Sequence, residues 1–172
     1  VRTVSAFPGH ANVVFLGTEH ALWVSADHGA HWNTLGSNLP TTLYMDVQVQ
    51  PSTGDVVVAT HGRSLWILDD GSAIAEWSPA VAAESAHLFS IRPTTQRVAW
   101  SFGANDYLFG QRHIQTPNDP DGMAIYYYLK TTAAGPLTVV ITDATTKEAA
   151  RLTGPPSPGI NRVVWNTRVA GA

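Results

Sequence analysis

Five residue matches recur at one fixed separation: Pro8 with Pro51, Val14 with Val57, Leu22 with Leu65, Trp23 with Trp66 and Asp27 with Asp70, each pair 43 positions apart. A constant offset limits the architecture before any local assignment does, because a repeated unit has to bury its apolar face on its own copy. Each copy reads as short strands rich in Val, Leu, Trp and Tyr, broken by Pro-Gly, Gly-Thr and Thr-Gly turn signals. In the first copy strands are expected over 2–6, 12–17, 21–25 and 31–35; in the second over 44–50, 55–60 and 64–68, with 74–77 or 86–91 as the fourth.

Four short strands in roughly 40–50 residues is the period of a β-propeller blade, whereas helical repeats carry a 3.6-residue apolar spacing that is missing from these segments. With only two copies, a pair of similar meanders within one β-sandwich is the competing architecture. Either way the fold class is all-β. Residues 1–92 are expected to form two blades, 93–121 a connecting strap and 122–172 an incomplete β-sandwich. The strap holds Trp100, Phe102, Tyr107 and Phe109, too many aromatics for a solvated linker, so it is expected to dock. The last part has strand-like runs over 124–130, 137–143, 149–152 and 160–167. In the first of these, alternation sends Tyr126 and Tyr128 to one face and Tyr127 to the other, which favours core packing over an aromatic platform for sugars.

Composition removes several functions. The net charge is −3 and the ten Lys and Arg residues are scattered, so no stripe exists to neutralise phosphates and nucleic acid is not an expected partner. The absence of cysteine removes disulfides and thiolate sites. The longest apolar runs, such as Val13 to Leu16 and Val56 to Ala59, are of strand length, so no membrane span is expected. His28 and His31 have an H-x-x-H spacing, but they lie in one tight turn with no third ligand near in sequence, so no metal is assigned, and no cofactor. Val1 leads directly into a strand-like segment without the charged and apolar regions of a signal peptide, which reads as an internal start.

After the third strand of the first copy stands Ser25-Ala26-Asp27-His28-Gly29-Ala30-His31-Trp32. This resembles the Asp-box, S-x-D-x-G-x-T-W, of sialidases, sortilin-type receptors and xyloglucanase-like glycoside hydrolases, with His31 in place of threonine. A short carboxylate can accept hydrogen bonds from the backbone of its own turn, and glycine permits the positive φ that closes it. Ser25, Asp27, Gly29 and Trp32 are therefore read as structural, with Trp32 starting the next strand and turning its ring inward. The second copy keeps the acid in Leu68-Asp69-Asp70-Gly71-Ser72 but loses the spacing, as terminal repeats do. The segments 17–25 and 59–70, with 122–168 behind them, are similar to the final blades and following β-domain of bacterial BNR-repeat, sortilin-like proteins often labelled glycosyl hydrolases. The resemblance implies the C-terminal part of a larger protein, joined to further blades and placed outside the cell or in the periplasm.

In this arrangement the Asp-box turn marks one end of the sheets. The opposite end receives Glu19 and His20 from one turn, and His61 and Arg63 from the next, with the connection 38–42 beside them. Two readings of these four stand: solvated hairpin residues satisfied locally, or a group that grips a carboxylate or hydroxyls. A glycosidase needs two carboxylates roughly 5–10 Å apart. Glu19 and Asp46 are candidates, and no pair is compelling. The expected function is a binding or scaffold module for glycan or protein ligands; the alternative is the non-catalytic tail of a glycoside hydrolase whose catalytic blades lie upstream. Two blades alone leave apolar faces uncovered, so the isolated chain is expected to associate.

Overall fold

A computed structural model describes residues 1–36, 38–96 and 122–169. The chain is all-β and its sheets are antiparallel, none closed into a barrel. The first sheet is a complete meander, β1 (Thr3–Phe7), β2 (His10–Gly17), β3 (Leu22–Ser25) and β4 (Asn33–Thr34), paired in that order. The second contains β5 (Tyr44–Val49), β6 (Val56–Thr60) and β7 (Leu65–Leu68). These follow the sequence expectation closely because alternating Val, Phe and Leu leave each strand one face to bury, and a one-residue slip would expose it.

Among the described residues the second sheet has no fourth strand, which corrects both candidates for it. Residues 74–77 instead continue a helical turn, α1 (Ser72–Ala75), which is followed by α2 (Pro79–Ala83). Here small residues serve two cores at once: Ala75 joins the cluster between the two sheets and Ala73 joins a second cluster with Val81, Phe89 and Tyr126. Period-two alternation cannot supply that. Ser78 caps α2 by accepting from the Val81 N–H, with Pro79 at the first helical position. The other candidate, 86–91, does form a strand, β8 (Ala86–Leu88), but it pairs with β9 (Met123–Leu129).

β9 is the centre of a third sheet, flanked by β8 and β12 (Gly159–Trp165), while β10 (Leu137–Thr142) and β11 (Glu148–Gly154) form a separate hairpin. Both faces of β9 are covered. Ile125, Tyr127 and Leu129 pack with Val163 and with Leu137, Val139, Ile141 and Leu152 of the hairpin. Tyr126 and Tyr128 turn the other way, against Trp77, Val81 and Phe89, with Trp77 edge-on to Tyr128 at 4.9 Å. Tyr126 and Tyr127 are 8 % and 5 % exposed, so they form no surface platform. Their hydroxyls donate to the Asp69 and Pro155 carbonyls at 3.1 and 2.6 Å. Most of the expected strap, 97–121, with its four aromatics, lies outside the described residues.

The stacking of the first two sheets is set by register. Phe15 pairs with Ser5 and Val24; Val57 pairs with Gln48 and Ile67. Gln48 and Ile67 lie 43 positions after Ser5 and Val24, but Val57 lies only 42 after Phe15. The central strand of the second sheet has therefore slipped by one relative to the sequence match, so Phe15 and not Val14 is the spatial counterpart of Val57. Phe15, Leu22 and Val24 face the second sheet, whereas their counterparts Val57, Leu65 and Ile67 face away from the first. Conversely, Val47, Val58 and Trp66 face the first sheet, while their counterparts Val4, Leu16 and Trp23 face outward. The two units stack front to back. They approach most extensively along β1 and β5, where Thr3 Oγ1 donates to Asp46 Oδ1 at 3.3 Å.

The layer between them is the largest core: Phe7, Val13, Phe15, Leu22, Tyr44, Val47, Val49, Val56 and Val58 are all buried. No helix among the described residues is long and apolar enough to cross a membrane.

Candidate functional site

In an antiparallel meander alternate turns fall at the same end, so the sheets have one end with the β2–β3 and β6–β7 turns and another with the β1–β2, β3–β4 and β5–β6 turns. At the first end Thr18 closes its turn on itself: its hydroxyl donates to the Ala21 carbonyl at 2.8 Å and accepts from the His20 and Ala21 N–H groups. This leaves Glu19 and His20 directed at solvent. In the second turn the Thr60 hydroxyl donates to the Ser64 carbonyl at 2.6 Å, while Gly62 and Ser64 take positive φ of 75° and 69°. His61 and Arg63 are thereby exposed.

The segment 42–44 ties these turns together. The Tyr44 N–H donates to the Thr18 carbonyl at 2.9 Å, the His61 N–H donates to the Leu43 carbonyl at 2.8 Å, and the Thr42 hydroxyl donates to the His61 carbonyl at 3.1 Å. Glu19, His20, His61 and Arg63 thus share one end of the molecule, but no hydrogen bond joins any two of them. The Glu19 carboxylate is taken by Arg2, with a 3.0 Å contact between half-exposed side chains that contributes at most about 1 kcal/mol. Asp46 is held by Thr3, by Gln48 at 3.1 Å and by the Val47 N–H at 2.9 Å. Glu19 and Asp46 are each engaged in a separate local network.

At the opposite end the Asp-box-like turn closes on its own side chains and is tied to β2 through Asn12, whose carbonyl accepts from the His28 N–H at 3.0 Å and whose amide donates to the Ala26 carbonyl at 3.1 Å. The buried Ser25 hydroxyl donates to Asp27 Oδ1 at 2.8 Å and accepts from the Gly29 N–H at 2.9 Å. Asp27 Oδ1 also accepts from the His31 N–H at 2.8 Å, and Oδ2 meets His31 Nδ1 at 2.6 Å. His31, standing where the motif has threonine, supplies a second contact to the same carboxylate. Gly29 has φ 88°, and His28 before it has φ 58°, so the turn passes through left-handed backbone twice. The Asp27 carboxyl is lowered from 3.8 to about 2, first by the His31 N–H, then by the His31 ring and the Ser25 hydroxyl. A carboxylate held that low stays ionised and does not exchange protons near neutrality.

Trp32 departs from expectation. It lies just before β4 and folds its indole back over the turn, with Nε1 donating to the Gly29 carbonyl at 2.9 Å, instead of entering the core. In the second copy Asp70 at φ 55° takes over the turn, but its N–H donates to Asp55, just before β6 and two strands earlier, at 2.9 Å. The Asp70 carboxylate accepts from the Ser72 N–H at 3.1 Å and leads into α1.

Beside this end lies a cleft of about 210 Å³, lined by Phe7, His10, Thr53, Ser72, Glu76 and Arg92 among others. The Ser72 hydroxyl there is buried and has no hydrogen-bond partner among the described residues. Sequence reading did not find this cleft, because its walls come from the β1–β2 turn, the β5–β6 turn, α1 and the chain after β8, which share no motif or spacing.

No protein-family model, curated protein or solved structure matches the chain. The chain offers a closed clip at one end, and at the other two lashed turns that present imidazole, guanidinium and carboxylate groups to solvent. Imidazole and guanidinium groups held on fixed backbone suit recognition of hydroxyls and carboxylates.

Proposed function

We propose that the chain is a binding or scaffold module built as two blades of an Asp-box β-propeller followed by part of a β-sandwich, taking glycan or protein ligands at the end that carries His20, His61 and Arg63. The observation that supports this reading is the front-to-back stacking. Two meanders facing each other across one sandwich would turn equivalent residues toward a common core, whereas units related by rotation about an axis turn equivalent residues the same way round. Phe15 with Val57 and Trp66 with Trp23 follow the second pattern. The close approach of β1 and β5, the first strand of each unit, agrees with inner strands lining an axis.

A binding role fits the division of labour between the two ends. Asp27 is consumed by its own turn, and Glu19 and Asp46 by Arg2, Thr3 and Gln48. His61 and Arg63 side chains make no hydrogen bond among the described residues and stand exposed on backbone that is fixed at Leu43. The test is a panel of immobilised glycans and peptides probed with the wild-type chain, with the combined variant His20→Ala, His61→Ala and Arg63→Ala, and with Arg151→Ala on the distant hairpin as control. Binding that the combined variant loses and the control keeps supports the site. Binding undiminished by the combined variant removes it, and turnover of a glycan by a longer form of the protein would favour the hydrolase-tail alternative.

A further inference from the structure

The outer face of the second sheet is the sharpest mismatch between side chains and surroundings among the described residues. Leu65 and Ile67 are 64 % and 62 % exposed. They stand two residues apart on β7, and by register Ala59 and Val57 of β6 lie opposite them on the same face. On β5 that face becomes polar, with Asp46 and Gln48 bonded to each other, so the apolar area is confined to β6 and β7. Single exposed apolar residues need no explanation, but a contiguous face on two paired strands does.

The molecule already shows what covers such a face. Leu65, Ile67 and Val57 are the counterparts of Leu22, Val24 and Phe15, which the first sheet buries against the second. The side that receives them displays Val47, Val58 and Trp66. The counterparts of those receiving residues, Val4, Leu16 and Trp23, form the outer face of the first sheet, where Val4 is 60 % exposed and Ala6 is exposed beside it. One chain therefore carries both halves of the interface it uses internally, one on each outer side.

We propose that the Leu65–Ile67 face of one copy docks on the Val4–Trp23 face of a second copy, so that the chain self-associates head to tail by repeating its own sheet-to-sheet interface. The contact is heterologous: the two patches differ, and each copy keeps one of them free after pairing. Association is thus open-ended until a ring closes, and it involves neither the His61 turn nor the Asp27 turn.

Sedimentation velocity of the 172-residue chain from low to high micromolar concentration tests the idea, with two charge-blocked variants of equal sign. Leu65→Glu with Ile67→Glu removes one patch and Val4→Glu with Ala6→Glu removes the other; all four side chains are exposed, and thermal melts at low concentration verify that both variants fold. The wild type is expected to exceed its 18.5 kDa monomer mass increasingly with concentration. Each variant alone is expected to stay monomeric. An equimolar mixture of the two is expected to form dimers and nothing larger, since each supplies the patch the other lacks. A wild type that remains monomeric throughout overturns the proposal and leaves this face to a different sheet. Association that survives in both variants, or variants that fail to recombine on mixing, overturns it equally, since a symmetric dimer or edge-strand pairing would behave in those ways.

Discussion

Trp23 and Trp66 occupy matching positions of the 43-residue repeat, yet Trp66 packs into the layer between the two sheets and Trp23 stands on the outside of its own. The same residue at the same repeat position therefore does different work in the isolated chain. Trp66→Ala should cost about 3 kcal/mol, the lower end for a large aromatic leaving a core, because its ring is only partly buried. Trp23→Ala should cost clearly less. Chemical denaturation of both variants, at a concentration where the wild type is monomeric, measures the difference; equal losses would contradict the assigned faces.

Gly17 lies where β2 ends against β1 and the start of β5. A Cβ there would come within 2.6 Å of Thr3 Cγ2 and 3.0 Å of the Tyr44 carbonyl oxygen. Because one of those neighbours is backbone, the clash cannot be relieved by a rotamer change alone. Gly17→Ala should therefore destabilise by about 1–3 kcal/mol through overpacking. Gly135→Ala, with nothing within 4 Å of the added carbon, should change stability by less than about 0.5 kcal/mol. Unfolding midpoints of the two variants decide it.

Asp27 predicts a pH signature. Its carboxyl is lowered from 3.8 to about 2 in the folded chain, so its contribution is fully present above pH 3.8 and is lost as pH falls towards 2. Asp27→Asn should lower stability at neutral pH and should flatten the slope of stability against pH between about 2 and 4. Denaturant titrations of both proteins at several pH values across that window provide the check. An unchanged slope would mean that the carboxylate is not the acceptor that closes the turn.

Tyr127 reaches across to the Pro155 carbonyl at 2.6 Å from a nearly buried ring. Tyr127→Phe keeps the packing and leaves that carbonyl without its donor, which should cost about 1 kcal/mol. A thermal melt of the variant reads the loss, and a stability equal to the wild type would show that water replaces the hydroxyl without penalty.

Local chemistry made much of this legible in advance. The four strands of the first unit, three of the second and the four runs after residue 122 follow from alternation and turn residues, both of which act over a few positions. Ser25, Asp27 and Gly29 announced a closed turn because the bonds made by the Ser25 and Asp27 side chains all stay within four residues, although Asn12 of β2 adds two longer ties that the motif does not announce. The common placement of Glu19, His20, His61 and Arg63 at one end followed from counting turns, though not the backbone ties through Leu43 and Tyr44. Failures came where a distant partner decides. Residues 74–77 became helical because Ala73 and Ala75 serve two different cores, and β8 left the second unit for β9. Trp32 failed for the opposite reason, since its indole took the local Gly29 carbonyl instead of the interior.

Sequence by itself determined an all-β chain with a 43-residue repeat and a carboxylate-closed turn, because strand alternation and turn chemistry are properties of neighbours along the chain. Only the tertiary structure decided that the units stack front to back. β5 and β7 keep the 43-residue offset and show it directly, with Val47 and Trp66 in the layer between the sheets and their counterparts Val4 and Trp23 outside it. The one-residue slip of β6 then puts Val57 on the face of Leu65 and Ile67, and which face is buried is settled by which one finds a partner.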